Sequence, residues 1–121
     1  MNKLSKSVAA LITAIGLMLG LTACAPEVMD MTTVTAVIDV RTPAEFAEGH
    51  LEGALNIDVQ GMDFATEVQK LDVAGTYVVY CRSGNRSTAA IEQMKTMGFT
   101  NLTNGGAVAN AASMTGLPIV Q

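Results

Sequence analysis

The segment from Gly75 to Gly98 restricts the fold more than any other part of the chain. Thr76-Tyr77-Val78-Val79-Tyr80 is rich in β-branched and aromatic residues, which predicts a strand. Cys81 to Ser87 is polar and contains a glycine, as a loop requires. Ala90, Ile91, Met94 and Met97 then fall on one helical face, and Gly98 supplies a stop. A strand passing through a loop into an amphipathic helix is the repeating unit of α/β proteins. The flanking sequence repeats it. Val37-Ile38-Asp39-Val40 suits a strand buried on both faces. In Thr42-Pro43-Ala44-Glu45, Thr42 is an N-cap, Pro43 sits at N1 and Glu45 can complete a capping box. A short helix is expected there through Ala47, stopping at Gly49. Ala54 to Ile57 reads as a strand, and residues 62–71 as a helix with Phe64, Val68 and Leu71 on one face. Phe99 to Thr103 predicts the last strand, and Gly106 to Ser113 a final helix. This order predicts an α/β fold, an open parallel sheet flanked by helices with right-handed crossovers.

Half of the 121 residues are hydrophobic and 15% are charged, with a mean hydropathy of +0.36, a membrane-like average. Its source is the first 24 residues. Lys3 and Lys6 precede Val8 to Leu21, a run without charge that ends in Leu21-Thr22-Ala23-Cys24. A basic start, an apolar stretch and small residues before a cut form a secretory signal. The last four residues resemble the lipobox of bacterial lipoproteins, which implies lipid on Cys24 and attachment to a membrane of the cell envelope. A plain signal peptide or an uncleaved anchor is the alternative. Val8 to Ala25 is 18 residues, marginal against the ~20 needed to span a bilayer. The expected organisation is a signal over 1–23, a polar tether over 24–35 and one folded domain over 36–121.

Without residues 1–23 the chain has 98 residues, and five basic side chains (Arg41, Lys70, Arg82, Arg86, Lys95) face eleven acidic ones, a net charge of −6. Nucleic acid is excluded as a partner, because phosphate backbones need clustered cations. A single histidine excludes a multi-His metal site, and two cysteines cannot staple a scaffold. With lipid on Cys24, Cys81 is the one thiol left in the domain.

The chemistry is expected at Cys81-Arg82-Ser83-Gly84-Asn85-Arg86-Ser87, where the clearest strand ends and a helix begins. Ligands of open α/β sheets bind beyond the carboxyl ends of the strands. Loop amides and a helix N-terminus favour an anion, and Arg82 and Arg86 add positive charge. Such surroundings lower a cysteine pKa and favour the nucleophilic thiolate. The competing reading of Cys81 is a small buried hydrophobe. For Arg82 it is a solvated charge, and for Arg86 a structural tie to backbone carbonyls or to a carboxylate such as Asp39.

Three blocks carry a family resemblance. Asp39-Val40-Arg41, then Glu48 to Ile57 (EGHLEGALNI), then Val78 to Ser87 (VVYCRSGNRS) occur in the order found in single-domain rhodaneses, the thiosulfate sulfurtransferases. Gly98-Phe99 and Gly105-Gly106 fit the family's C-terminal part, so the similarity covers about residues 36 to 120. The resemblance implies that Cys81 takes sulfur from thiosulfate or a similar anionic donor as a persulfide. A thiophilic acceptor, cyanide or a thiol, then removes it, without metal or organic cofactor. The loop residues Arg82 to Ser87 would hold the donor. Asp39 and Arg41 would support the strand end, and His50 would stand in a structural turn. Ile38 follows Cys24 by only 14 positions, so a version of the fold shortened at its N-terminus is expected.

Two other functions compete. Phosphatases and arsenate reductases of the same fold have five residues between Cys and Arg. Here four separate Cys81 from Arg86, a ring better suited to sulfur. A persulfide carrier serving a protein acceptor, or a sulfide sensor, would use the same loop without small-molecule turnover.

Overall fold

The computed structural model describes residues 27–121, so the export segment and Cys24 lie outside the described residues. In chain order the elements are β1 (Ala36–Asp39), α1 (Pro43–Glu48), β2 (His50–Leu51), β3 (Leu55–Asn56), α2 (Phe64–Gln69), β4 (Thr76–Cys81), α3 (Asn85–Thr96), β5 (Asn101–Ala107), α4 (Val108–Thr115) and β6 (Ile119–Val120). Four strands make a parallel sheet in the order β3-β1-β4-β5. The expected α/β architecture is present. In α1 the capping box forms as its sequence dictates: Glu45 N–H donates to Thr42 Oγ1 at 3.2 Å, and Thr42 N–H reaches back to Glu45 Oε1 at 3.4 Å.

β4 organises the core because it is central and its side chains alternate between the two faces. Tyr77, Val79 and Cys81 pack on one side with Ile38, Phe64, Val68, Ala90, Met94 and Phe99, the side covered by α2 and α3. Val78 and Tyr80 pack on the other with Val37, Leu51 and Ala111, against α4. The same alternation therefore aims Cys81 at the start of α3.

Several boundaries differ from expectation. β5 runs to Ala107 instead of ending at Thr103, and α4 occupies 108–115 instead of 106–113. Asn104-Gly105-Gly106 reads as a strand breaker, yet Gly105 lies where a Cβ would stand 3.0 Å from Ala111 and 3.1 Å from Tyr80. The missing side chain is what lets α4 close onto the sheet. The register of β5 against β4 shifts between Val79 and Tyr80 to accommodate it. α2 is a shorter helix than 62–71. An antiparallel pair, β2 with β6, has no counterpart in the sequence reading, because two residues carry no period.

The expected tether is also corrected in part. Met31–Thr33 form a 3-10 turn capped by Asp30, and Met29, Met31 and Val34 pack against the α4 side of the core. Met29 N–H donates to Met114 O at 2.9 Å and Thr35 N–H to Thr76 O at 2.7 Å. Apolar side chains dock the segment, and the folded unit begins near Met29 rather than at residue 36. Among the described residues, this turn alone precedes β1.

Candidate active site

β4 carries Cys81 to the carboxyl edge of the sheet, where the loop 82–84 turns back over it. Gly84 makes that turn with φ +96°, a conformation that side chains resist. Its N–H points at Cys81 Sγ from 2.9 Å. α3 starts at the next residue with no side chain capping it, so its first amides remain free for an anion. Ser87 Oγ, one turn into α3, lies 3.5 Å from the sulfur. Burial is the strongest single influence on the thiol and opposes ionisation. Contacts with the Ser87 hydroxyl and with the backbone N–H groups of Ser87, Gly84 and Ser83 outweigh it, and the pKa falls below its ordinary value. Hydrogen bonds, rather than the two arginines of the loop, lead this effect.

Cys81 is fully buried. The two readings of this residue thus coincide, since it is a core side chain packed with Val79 and Ala90 and also the focus of the loop. A pocket of about 270 Å³ opens beside β3 between Pro43 and Phe64, with Asp58, Asp63 and Glu67 on its walls. Cys81 does not line it, and its acidic wall does not suit an anionic donor.

The arginines divide by role. Arg82 is exposed and makes no ion pair among the described residues. Arg86 is grouped by the sequence with the anion-binding loop, but both of its terminal nitrogens are taken by Glu45 of α1, at 2.7 and 2.9 Å. Asp39, the carboxylate considered for it, is instead gripped by Arg41 through Nε and Nη2, the latter at 2.7 Å. Arg41 also donates to Gly49 O at 2.6 Å and lies 5.8 Å from the Tyr80 ring centroid. Asn56 Nδ2 donates to Asp39 O and Arg41 O, tying β3 to the same corner. Asp39 and Arg41 are thus buried supports of the strand end. Arg86, hydrogen-bonded to Glu45, holds that carboxyl down at about 2.

Ser83 and Asn85 are exposed on the loop, and Ser87 is fully buried. His50 sits in β2 rather than in the expected turn, with Nδ1 2.8 Å from Phe46 O and its ring stacked on Phe46 at 3.6 Å, a structural role. Cys24 lies outside the described residues. Two participants escape the sequence reading. Glu45 shows its helix-capping role in the sequence but not a partner 41 positions away. Asn104 accepts from Ser87 Oγ at 2.7 Å, and nothing in its neighbourhood in the chain marks it.

The Rhodanese-like domain family matches residues 25–109. A putative mitochondrial thiosulfate sulfurtransferase of Schizosaccharomyces pombe is 36% identical over 81 residues, 58% of this chain and 57% of that relative. The thiosulfate sulfurtransferase PspE of Escherichia coli is 33% identical over 75 residues, 62% of this chain and 72% of PspE. Among solved structures, a rhodanese with anions from E. coli superposes with a TM-score of 0.59 at 34% identity, covering 71% of this chain and 96% of that one. With its parallel sheet, its cysteine at the carboxyl edge and this match over most of its length, the chain belongs to the rhodanese-like domain family.

Proposed function

We propose that this protein is a rhodanese-type sulfurtransferase in which Cys81 carries sulfane sulfur as a persulfide. The observation that carries the reading is the loop itself, with a Gly84 N–H 2.9 Å from a sulfur of lowered pKa. The relatives' names support the reaction class. In the first step the Cys81 thiolate attacks the outer sulfur of thiosulfate, forming an S–S bond and releasing sulfite with the electron pair of the broken S–S bond. In the second, cyanide or a thiol attacks the terminal persulfide sulfur and Cys81 leaves as thiolate. The free Arg82 and the first amides of α3 stabilise the anionic donor and the persulfide. The engaged Arg86 is not free to wrap a tetrahedral oxyanion, which with the four-residue spacing disfavours phosphate or arsenate.

Thiosulfate treatment of the full chain, followed by mass spectrometry of the Cys81 peptide, tests the proposal. A gain of about 32 Da, one sulfur atom on the thiolate, is expected in wild type and not in Cys81→Ser. Unmodified wild type overturns it. Modification that cyanide fails to discharge turns the reading toward a persulfide carrier with a protein acceptor. Export and lipid attachment at Cys24, in the cell envelope, complete the proposal on the strength of Val8 to Leu21 and Leu21-Thr22-Ala23-Cys24.

A further inference from the structure

Behind the sulfur lies a hydrogen-bond chain whose direction can be worked out atom by atom. Asn104 Oδ1 accepts from Gly106 N–H at 2.9 Å, and an amide N–H can only donate. Asn104 Nδ2 donates to Thr88 Oγ1 at 3.0 Å, and Thr88 gives its own proton to Gly84 O at 2.8 Å. Two independent partners thus fix which way the Asn104 amide faces. Its oxygen is turned to Ser87 Oγ at 2.7 Å, and an amide oxygen can only accept. The proton between them belongs to Ser87. Gly84 O, at a longer 3.0 Å, is the second acceptor for it.

A hydroxyl has a single proton. While that proton rests on Asn104, Ser87 presents lone pairs to Cys81 Sγ. It can then accept from the thiol, and it stabilises the thiolate only by turning that proton away from Asn104 toward the sulfur. We propose that Asn104 is a positioning residue for Cys81, competing with the sulfur anion for the one Ser87 proton and so setting how readily the sulfur ionises. This tuning has chemical value. A thiolate held by every available donor is abundant but a weaker nucleophile, since nucleophilicity falls with pKa. An acceptor that holds one donor in reserve keeps the anion reactive.

Few charges complicate the test. Those near the sulfur are Arg86 with its partner Glu45, Arg82 on the loop, the Asp39–Arg41 pair at the end of β1, and Asp58, whose charge Arg86 feels. β5 and α4, which hold Asn104 and back it, carry no ionisable side chain.

The proposal rests on Cys81 as the reacting sulfur but not on the identity of any donor. The pH dependence of iodoacetamide alkylation, read on the Cys81 peptide of the full chain, therefore tests it apart from sulfur transfer. Asn104→Ala frees the Ser87 proton, so the alkylation midpoint should fall by about 0.5–1 pH unit, roughly 3- to 10-fold more thiolate at a given pH. Asn104→Asp, a stronger acceptor that keeps the Gly106 bond, should raise the midpoint. In a Ser87→Ala background the Asn104→Ala shift should vanish and the Asn104→Asp shift should shrink to the effect of its charge. No fall with Asn104→Ala, or an equal fall without the Ser87 hydroxyl, overturns the proposal. If Asn104→Ala does not fold, Asn104→Asp decides: a shift of the same size with and without Ser87 overturns it. Should these shifts appear while thiosulfate leaves no persulfide, the sulfurtransferase reading falls and this one stands.

Discussion

Glu45 is asked to do two things with one carboxylate. Oε1 takes Thr42 N–H and the Arg86 guanidinium, and Oε2 takes the second Arg86 nitrogen. The first bond starts α1, and the others fasten the beginning of α3, and with it the Cys81 loop, to α1. The pair is about one-fifth exposed, so solvent screens it and its worth is less than the lowered pKa alone suggests. Its pH dependence has a definite sign. A carboxyl of ordinary value 4.5 held down at about 2 in the folded state stabilises fully above 4.5. That contribution is lost as the pH falls through about 2. In Glu45→Gln, the deficit in urea midpoint against wild type should be greatest above pH 4.5 and close toward pH 2. A deficit independent of pH would show that packing, and not the charge, holds the loop. At this scale Cys81 is legible in the sequence because a strand leads into it from Thr76 and loop and cations follow within seven residues, 81 to 87. The partners of Arg86 and Ser87 are not legible, since they come from other elements 41 and 17 positions away.

Elements are legible where local chemistry and tertiary packing agree. α1 has its cap, its N1 proline and its stop within eight consecutive residues, and it forms where they indicate. β4 combines high β-propensity with burial on both faces and begins at the expected Thr76. β5 misleads for a reason that is itself structural. Its Gly105 has poor intrinsic preference for a strand, but a side chain there would crowd Ala111, Tyr80 and Val78 at 3.0–3.2 Å. Contact between β5 and α4 overrides local propensity, and only the folded arrangement reveals it. β2 and β6 lie below the length at which any pattern can speak, and their pairing depends on the chain's last residues returning to His50 and Leu51. The Gly-Gly of the resemblance thus gains two separate explanations, with Gly105 making room and Gly106, at φ +69°, making the turn into α4.

A parallel sheet gives the whole molecule two unlike ends. Every strand starts at one edge and finishes at the other, so the segment that leads into β1 lies across the sheet from Cys81 at the end of β4. The docked residues 29–35 meet β4 at its first residue, Thr76, and α4 at Met114, near its last. They should therefore stabilise the domain without touching its chemistry. Met29, Met31 and Val34 are half-buried on the smaller core face, which suggests about 3 kcal/mol in all at roughly half of the full-burial value for each side chain. A chain beginning at Thr35 should unfold at a correspondingly lower urea concentration than one beginning at Glu27. Its Cys81 should alkylate with the same pH profile below the unfolding transition. Equal midpoints would mean that the segment rests on the surface without contributing. A changed profile would mean that the two edges communicate through β4. The contrast also bears on the lipid proposed at Cys24: only Ala25 to Val28 separate that cysteine from the docked segment. An anchor there would hold the blunt edge of the sheet toward the bilayer and leave the Cys81 loop facing the aqueous phase, where ionic sulfur donors are found.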